Sequence, residues 1–192
     1  AHAELSRRYQ WLNNILSKAR RSISMTLYHG SNQIVTVIDF AMSKPNKDFG
    51  KGFYLSADKQ QALEMAEYKT FTNGGKPILN VYEFDEKQLD NPNLKVKRFE
   101  GYTKEWAEFV FANRNSADGG STHDYDIVIG PIANDRVGLQ IRRYIEQEIT
   151  FETFLERLKY MKGITFQYFF GTQQSIQLLK RLWTKQTIWL SV

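Results

Sequence analysis

The sequence contains no cysteine, only four prolines and only three histidines. Without cysteine the chain forms neither a disulfide framework nor a thiolate site, so we expect a protein of the reducing cytoplasm. The histidines, His2, His29 and His123, lack the spacing of a metal site, and we predict no bound metal. No apolar run approaches the roughly 18 residues that a membrane span requires, so we expect no membrane contact.

The common motifs of nucleotide-binding proteins and hydrolases are also missing. The chain has no GxGxxG, no GxxxxGK[ST] and no GxSxG segment. Asp48-Phe49-Gly50 spells the metal-binding tripeptide of protein kinases. The lysine strand and the catalytic loop that accompany this tripeptide in kinases are absent, so we interpret the match as chance.

The 192 residues fit one domain, and the 42% of hydrophobic residues suffice for a packed core. The net charge of +5 is concentrated at the two ends of the chain. Residues 1–24 carry five basic residues and one acid, and residues 180–192 carry three basic residues and none. The segment between them therefore has 18 basic and 20 acidic residues, a net charge of −2.

The first 24 residues differ in character from the rest. Apolar residues recur at helical spacing over 4–21, between arginines, which predicts an amphipathic basic helix. We divide the chain into an N-terminal basic helical extension, 1–24, and a domain over 25–192. The extension is interpreted either as a solvated helix or as a segment that contacts nucleic acid or an acidic partner.

Beyond residue 24 the pattern predicts short strands separated by helices of unequal length, which favours an α+β fold. Thr103 is the expected cap of a helix that buries Trp106, Phe109 and Val110. The predicted strands cover 26–29, 52–56, 77–84, 125–131 and 164–170. The predicted helices cover 58–69, 103–113, 136–146, 151–161 and 173–183.

Two segments have features beyond those of ordinary strands. Leu27–Ser31 ends on His29-Gly30-Ser31, and Asp48–Ser56 contains Tyr54 after a glycine-rich turn. Glycine allows a ligand to approach the backbone, whose N–H and C=O can pair with a carboxamide. A tyrosine ring can stack on a pyridine ring, and a histidine can bind a ribose hydroxyl. These groups together suit the nicotinamide end of NAD.

The two segments resemble the signature of the ADP-ribosyltransferase superfamily, whose diphtheria-toxin-like and poly(ADP-ribose)-polymerase-like members carry a His-Tyr-Glu triad. His29-Gly30-Ser31 matches the HG[ST] strand, and Gly52-Phe53-Tyr54 matches the G-[FI]-Y strand. The chain is also similar to a bacterial family of uncharacterised domains with YHGS and DFGxGFY motifs. The resemblance implies two small split β-sheets with packed helices and an NAD cleft between them.

The resemblance also assigns roles to individual residues. In the superfamily, the glutamate of the His-Tyr-Glu triad lies at the start of a late strand. The matching position here is Gln167. Its amide can bind a ribose hydroxyl but brings no negative charge. We therefore expect His29, Tyr54 and Gln167 as the catalytic residues. Met65 and Tyr68 are alternatives for a second stacking side chain, and Arg114 is either a phosphate clamp or a surface arginine. The residues expected to bind NAD are His29, Gly30, Ser31, Gly52, Phe53, Tyr54, Tyr68 and Arg114.

The expected activity is transfer of ADP-ribose from NAD, as co-substrate, to a protein or nucleic-acid acceptor. The resemblance further implies a toxin that an antitoxin protein restrains. Two alternatives stay open at this point. One is an NAD glycohydrolase, in which water is the acceptor, and the other is a degenerate, non-catalytic nucleotide-binding module.

Overall fold

A computed structural model of the chain describes residues 24–159 and 163–182. The predicted helix over 4–21 lies outside the described residues, and Ser24 is already the first residue of a strand. The described residues form an α+β fold, as the sequence predicts. Its strands are β1 (Ser24–Ser31), β2 (Phe53–Ser56), β3 (Ile78–Asp85), β4 (Val96–Arg98), β5 (Ile127–Pro131), β6 (Phe166–Phe170) and β7 (Lys180–Leu182).

Five α-helices occur among the described residues, most of them with side-chain caps. The Thr103 hydroxyl accepts a hydrogen bond from the backbone N–H of Trp106 at 3.1 Å, so the predicted cap is confirmed. Trp106 and Val110 are fully buried, as the periodicity indicates, whereas Phe109 is only partly buried. The helices are α1 (Lys59–Asn73), α2 (Lys104–Arg114), α3 (Asp135–Ile145), α4 (Phe151–Lys159) and α5 (Gln173–Ile176).

The seven strands form one mixed sheet in the order β4-β5-β6-β2-β1-β3-β7. β4 and β5 are parallel, and every other neighbouring pair is antiparallel. The expectation of two separate sheets is therefore wrong for the described residues, because a β1–β2 pairing joins the two halves.

That pairing is much weaker than the others. β1 and β3 share eight residue pairs, whereas β1 and β2 share one, Tyr28 with Ser56. We call the boundary between β1 and β2 the seam. Because the ladder stops after one pair, the backbone groups next to the seam are open to side chains and ligands.

The end of the domain differs from its prediction. The expected helix over 173–183 ends at Ile176, and Lys180–Leu182 is instead the strand β7 on the outer edge of β3. The open edge of β3 supplies backbone hydrogen bonds over long range, and these outweigh the local helical pattern. The short edge strand β4 was not predicted, because Lys97 and Arg98 give it the charged character of an edge.

Two main clusters of buried side chains cover the two faces of the sheet, because alternate residues of a strand point to opposite faces. The cluster beneath α2, α3 and α4 contains Phe49, Trp106, Phe154 and Phe169, with Tyr54 packed against it. The cluster on the other face is built from Leu27, Phe53, Leu55, Tyr82, Phe84, Leu94, Ile127 and Phe170. No helix of the described residues is long and apolar enough to cross a membrane.

Candidate active site

A cavity of about 680 Å³ opens at the seam. Its wall is formed by β1, β2, β6, α1, the end of α2, α3 and the segment that leads into β2. Five of the residues predicted for the site line this one cavity: His29, Gly30, Tyr54, Arg114 and Gln167. The imidazole and the phenol ring, from different strands, therefore meet at one cleft.

Three of the other predicted residues do not line the cavity and are packed within the protein. The Ser31 side chain is buried, and Phe53 stacks against the His29 ring with centroids 4.5 Å apart. A Cβ added at Gly52 would lie 2.2 Å from the Phe169 ring, so this glycine serves close packing. Ser31, Gly52 and Phe53 lie outside the cavity wall.

Of the two alternatives for a second stacking side chain, Met65 lines the cavity and Tyr68 does not. Tyr68 is 64% exposed on the outer side of α1. A ligand ring in the cavity would therefore meet the thioether of Met65 and not the Tyr68 ring.

His29 bridges the seam. Its Nδ1 lies 2.7 Å from the Tyr54 carbonyl oxygen, and since a carbonyl only accepts, Nδ1 carries the proton. Nε2 is then an acceptor. Burial, followed by the nearby Lys69 ammonium, lowers the pKa of His29 to about 3, so the imidazole is neutral at physiological pH.

Tyr54 is anchored at both its ring and its hydroxyl. The hydroxyl donates to the Gly50 carbonyl at 2.6 Å and accepts from the Phe49 N–H at 3.1 Å. The ring packs edge-to-face on Phe169, with centroids 5.2 Å apart. Burial raises the pKa of Tyr54 well above its ordinary value, so the phenol stays neutral. The Lys47 ammonium lies 5.0 Å from the centroid of the same ring.

Gly30 is required by helix packing. A Cβ added there would lie 1.9 Å from the Ala62 carbonyl oxygen and 2.8 Å from the Ala66 nitrogen of α1. The Gly30 carbonyl accepts a hydrogen bond from Lys69 Nζ at 2.8 Å, and the same Nζ lies 3.4 Å from His29 Nε2. The carbonyl that the sequence assigns to a carboxamide is therefore occupied by an ammonium group.

Positive charge predominates in the cavity wall. Its charged residues are Lys47, Lys69, Arg114, Arg142, Asp48 and Asp135. Burial, with repulsion from Lys47, lowers the pKa of Lys69 to about 8, and burial also lowers the pKa of Lys47. Neither lysine forms an ion pair with a carboxylate among residues 24–159 and 163–182. An anionic group would relieve their mutual repulsion.

Asp48 is a buried carboxylate that holds both Arg114 and Gln167. Its Oδ1 accepts from Arg114 Nε at 2.8 Å, and Arg114 Nη2 lies 2.6 Å from the same oxygen. Its Oδ2 accepts from the Ala133 N–H at 2.9 Å and from Gln167 Nε2 at 2.7 Å. Arg114 also donates to the Ala133 carbonyl, so its Nε and Nη2 groups already have partners within the protein.

Reasoning from the sequence missed three residues of this wall. Asp48 was set aside with the kinase-like tripeptide, and neither Lys47 nor Lys69 was considered. One signal was present for Lys69, because it continues the spacing of Ala62 and Ala66, the apolar side of α1. For Asp48 the signal was its place at the start of the DFGxGFY motif, but the motif does not indicate its partners, which are 66, 85 and 119 residues away along the chain.

No group of three or more His, Cys, Asp or Glu side chains is arranged to hold a metal ion among the described residues. His123, the other described histidine, is engaged in structure. Its Nε2 donates to the Phe49 carbonyl at 2.9 Å, and its Nδ1 accepts from the Tyr125 N–H at 3.1 Å.

Comparison with known proteins identifies one family. No curated protein and no solved structure matches the chain. A family described as "Protein of unknown function (DUF3990)" matches residues 25–181. This range contains the whole cavity wall and all helices and strands except Ser24, the first residue of β1, and Leu182, the last residue of β7. The chain belongs to this DUF3990 family.

Proposed function

We propose that the chain is a mono-ADP-ribosyltransferase that uses NAD as its co-substrate and modifies a protein or nucleic-acid acceptor. One observation carries the proposal. His29, Tyr54 and Gln167, from three strands that are distant in sequence, line the same cavity with Gly30. This shared cavity supports the assignment of the three residues to one nicotinamide riboside.

The geometry supports a role for each of these side chains. His29 Nε2 is a neutral acceptor, suited to a ribose hydroxyl, because Nδ1 already donates to the Tyr54 carbonyl. The Tyr54 ring already carries a cation, the Lys47 ammonium. The positively charged nicotinamide ring of NAD would replace that ammonium on the same ring.

The two cavity lysines support a nucleotide with a diphosphate. Lys47 lies over the Tyr54 ring, and Lys69 donates a hydrogen bond to the Gly30 carbonyl. Nicotinamide would contact the same ring and the same carbonyl. When nicotinamide enters, both ammonium groups lose these contacts, and the diphosphate of NAD offers them negative charge. Arg114 is a weaker candidate than the lysines because Asp48 and Ala133 already use its donors.

In the proposed reaction the bond between C1′ of the ribose and the nicotinamide nitrogen breaks, and nicotinamide takes the electron pair. C1′ gains oxocarbenium character, and a nucleophile of the acceptor bonds to C1′ and releases its proton to water or a base. His29 and Gln167 hold the ribose while this charge develops. We further propose an ADP-ribosyltransferase-like fold, which the nearly divided sheet and the cavity at its seam support.

Incubation of the purified protein with NAD labelled in the adenosine moiety and with bacterial lysate tests the proposal. Label that remains on protein or nucleic acid after denaturation is the expected result. Free ADP-ribose without labelled macromolecule would instead support a glycohydrolase. Unchanged NAD would contradict both enzymatic assignments and leave the binding module.

A further inference from the structure

Gln167 stands where the resemblance predicts a glutamate, and its surroundings decide what it presents to a ligand. Its side chain lines the cavity, and its amide contacts the buried carboxylate of Asp48 at 2.7 Å. A carboxylate without a proton only accepts hydrogen bonds. The amide must therefore turn its NH₂ group toward Asp48, which turns Oε1 to the opposite side.

Asp48 is held firmly enough to impose this orientation. It is only 7% exposed; Oδ1 accepts from Arg114 Nε and forms an ion pair with Nη2, and Oδ2 accepts two hydrogen bonds. Arg114 compensates its charge at Oδ1, so the pair as a whole adds little net field at the cavity. The effect of Asp48 on the ligand is therefore transmitted through the hydrogen bond to Gln167.

We propose that Asp48 is a positioning residue that fixes the Gln167 amide so that Oε1 accepts a hydrogen bond from a ribose hydroxyl of NAD. This inference rests on the proposed function. Oε1 accepts no hydrogen bond from the described residues, so the acceptor is available. Polarisation by the carboxylate strengthens Oε1 as an acceptor, since hydrogen bonds in series reinforce one another. Asp48 and Gln167 together thus take the place of one glutamate.

The proposal predicts a specific rescue. In Asp48→Asn the introduced amide keeps its oxygen on Arg114 and places its NH₂ group where Oδ2 accepted from both Gln167 and the Ala133 N–H. The Ala133 N–H then loses its acceptor, which lowers the stability of both Asp48→Asn variants alike. The Gln167 amide reverses and offers a donor to the cavity. In the double variant Asp48→Asn/Gln167→Glu, the introduced carboxylate accepts from the introduced NH₂ group and again offers an oxygen to the ligand. A purely structural role for Asp48 would give no such rescue by a change at position 167.

The first experiment compares NAD turnover by wild type, Asp48→Asn, the double variant and Asp126→Asn. Asp126 is the matched control, because it is a buried carboxylate bonded to the Lys95 N–H and the Thr172 hydroxyl, outside the cavity wall. We expect a loss of at least tenfold in Asp48→Asn, recovery of at least fivefold in the double variant, and less than a twofold change in the control. Equal turnover in wild type and Asp48→Asn, or no recovery in the double variant, would overturn the proposal.

Because removing a buried charge partner from Arg114 is costly, a second measurement uses Gln167→Glu and does not depend on activity. Asp48 then faces a second carboxyl group at hydrogen-bonding distance, which raises the pKa of that group in the folded state. The other charged groups of the wall are Arg114, Lys47, Lys69, Arg142 and Asp135. The double variant keeps all of these and lacks only the Asp48 charge.

The expected sign follows from proton linkage. In Gln167→Glu the introduced carboxyl group has a higher pKa in the folded state than in the unfolded chain. As the pH rises above about 4.3, the unfolded chain therefore loses this proton while the folded protein still holds it. The Tm of Gln167→Glu should therefore fall relative to wild type with rising pH, and this fall should vanish in the double variant. A pH-independent difference would show that Asp48 does not contact residue 167.

If wild type leaves NAD unchanged, the proposed function itself fails, whereas active wild type without rescue defeats this inference alone.

Discussion

His29 enters the cavity as an acceptor because its other ring nitrogen already donates across the seam to Tyr54. Burial and the two neighbouring lysines keep the imidazole neutral, so its contribution to the proposed reaction is hydrogen bonding without charge. Tyr54 is a less specific probe of function, because its ring and hydroxyl also hold Phe49, Gly50 and Phe169 together. Its truncation would combine lost activity with lost stability.

Replacement of His29 by asparagine separates these roles at the scale of one residue. The introduced NH₂ group can still donate to the Tyr54 carbonyl, but the side chain has no counterpart of Nε2. We expect nicotinamide release from NAD to fall at least tenfold, which corresponds to about 1.4 kcal/mol of lost transition-state stabilisation. The measurement is the rate of nicotinamide release, with Tm recorded on the same samples.

His123→Asn provides the matched control for that substitution. His123 also bonds a backbone carbonyl and stacks on Phe109, with centroids 4.8 Å apart, but it lies outside the cavity wall. Its replacement should lower Tm without a comparable loss of turnover in the folded protein. Equal losses of turnover in both variants would mean that His29 acts only through packing.

At the scale of elements, the site depends on how closely α1 approaches β1. The contact of Gly30 with the backbone of Ala62 and Ala66 brings Lys69, one turn further along α1, to the Gly30 carbonyl. The glycine of the HG[ST] motif therefore has a packing function here. Sequence reasoning assigned it to ligand approach, and the structure places helix backbone on the side where a Cβ would project.

Gly30→Ala tests this packing. The new methyl group would meet backbone atoms, which cannot rotate away, so we expect a loss of at least about 2 kcal/mol in the free energy of unfolding. Gly101→Ala is the control, because a Cβ there meets nothing within 4 Å. Urea denaturation of both variants measures the difference. A Gly30→Ala protein as stable as Gly101→Ala would contradict the close approach of α1 and β1.

At the scale of the whole molecule, the distribution of charge differs from the sequence average. Residues 25–179 have a net charge of −2, yet the cavity wall within them carries four basic and two acidic residues. Folding brings together Lys47, Lys69, Arg114 and Arg142 from separate segments. An electropositive cavity on a domain with little net charge favours a small anionic ligand in that cavity.

Thermal unfolding in the presence of NAD measures this effect for the entire fold. A ligand at about one hundred times its Kd adds about 2.7 kcal/mol of stability, a rise in Tm of about 5–10 °C for a chain of this size. We expect the rise to shrink in Lys47→Gln and with added salt. Lys95→Gln removes an exposed lysine that pairs with Asp124 outside the cavity, and it should keep the full rise.

Sequence reasoning succeeded where the determinants are local. Thr103 as a cap, the burial of Trp106 and Val110, and most strands and helices follow from spacing within one segment. It failed over 177–182, where strand β7 pairs with the distant edge of β3, and it predicted two sheets where one residue pair joins them. Lys180–Leu182 is too short to show the alternation of a strand, and no segment encodes by itself which edge it will pair with.

The same division applies to the cavity. By itself the sequence determined that His29-Gly30 and Tyr54 lie on strands and that a glycine-rich turn precedes Tyr54, because strand and turn signals are local properties. Only the tertiary structure decided that Asp48 contacts the Gln167 amide, that two lysines line the cavity, and that Gly30 faces a helix. Hydrogen bonds and charge repulsion depend on distance in space. The 39 residues between Gly30 and Lys69 and the 119 between Asp48 and Gln167 conceal that distance in a linear chain.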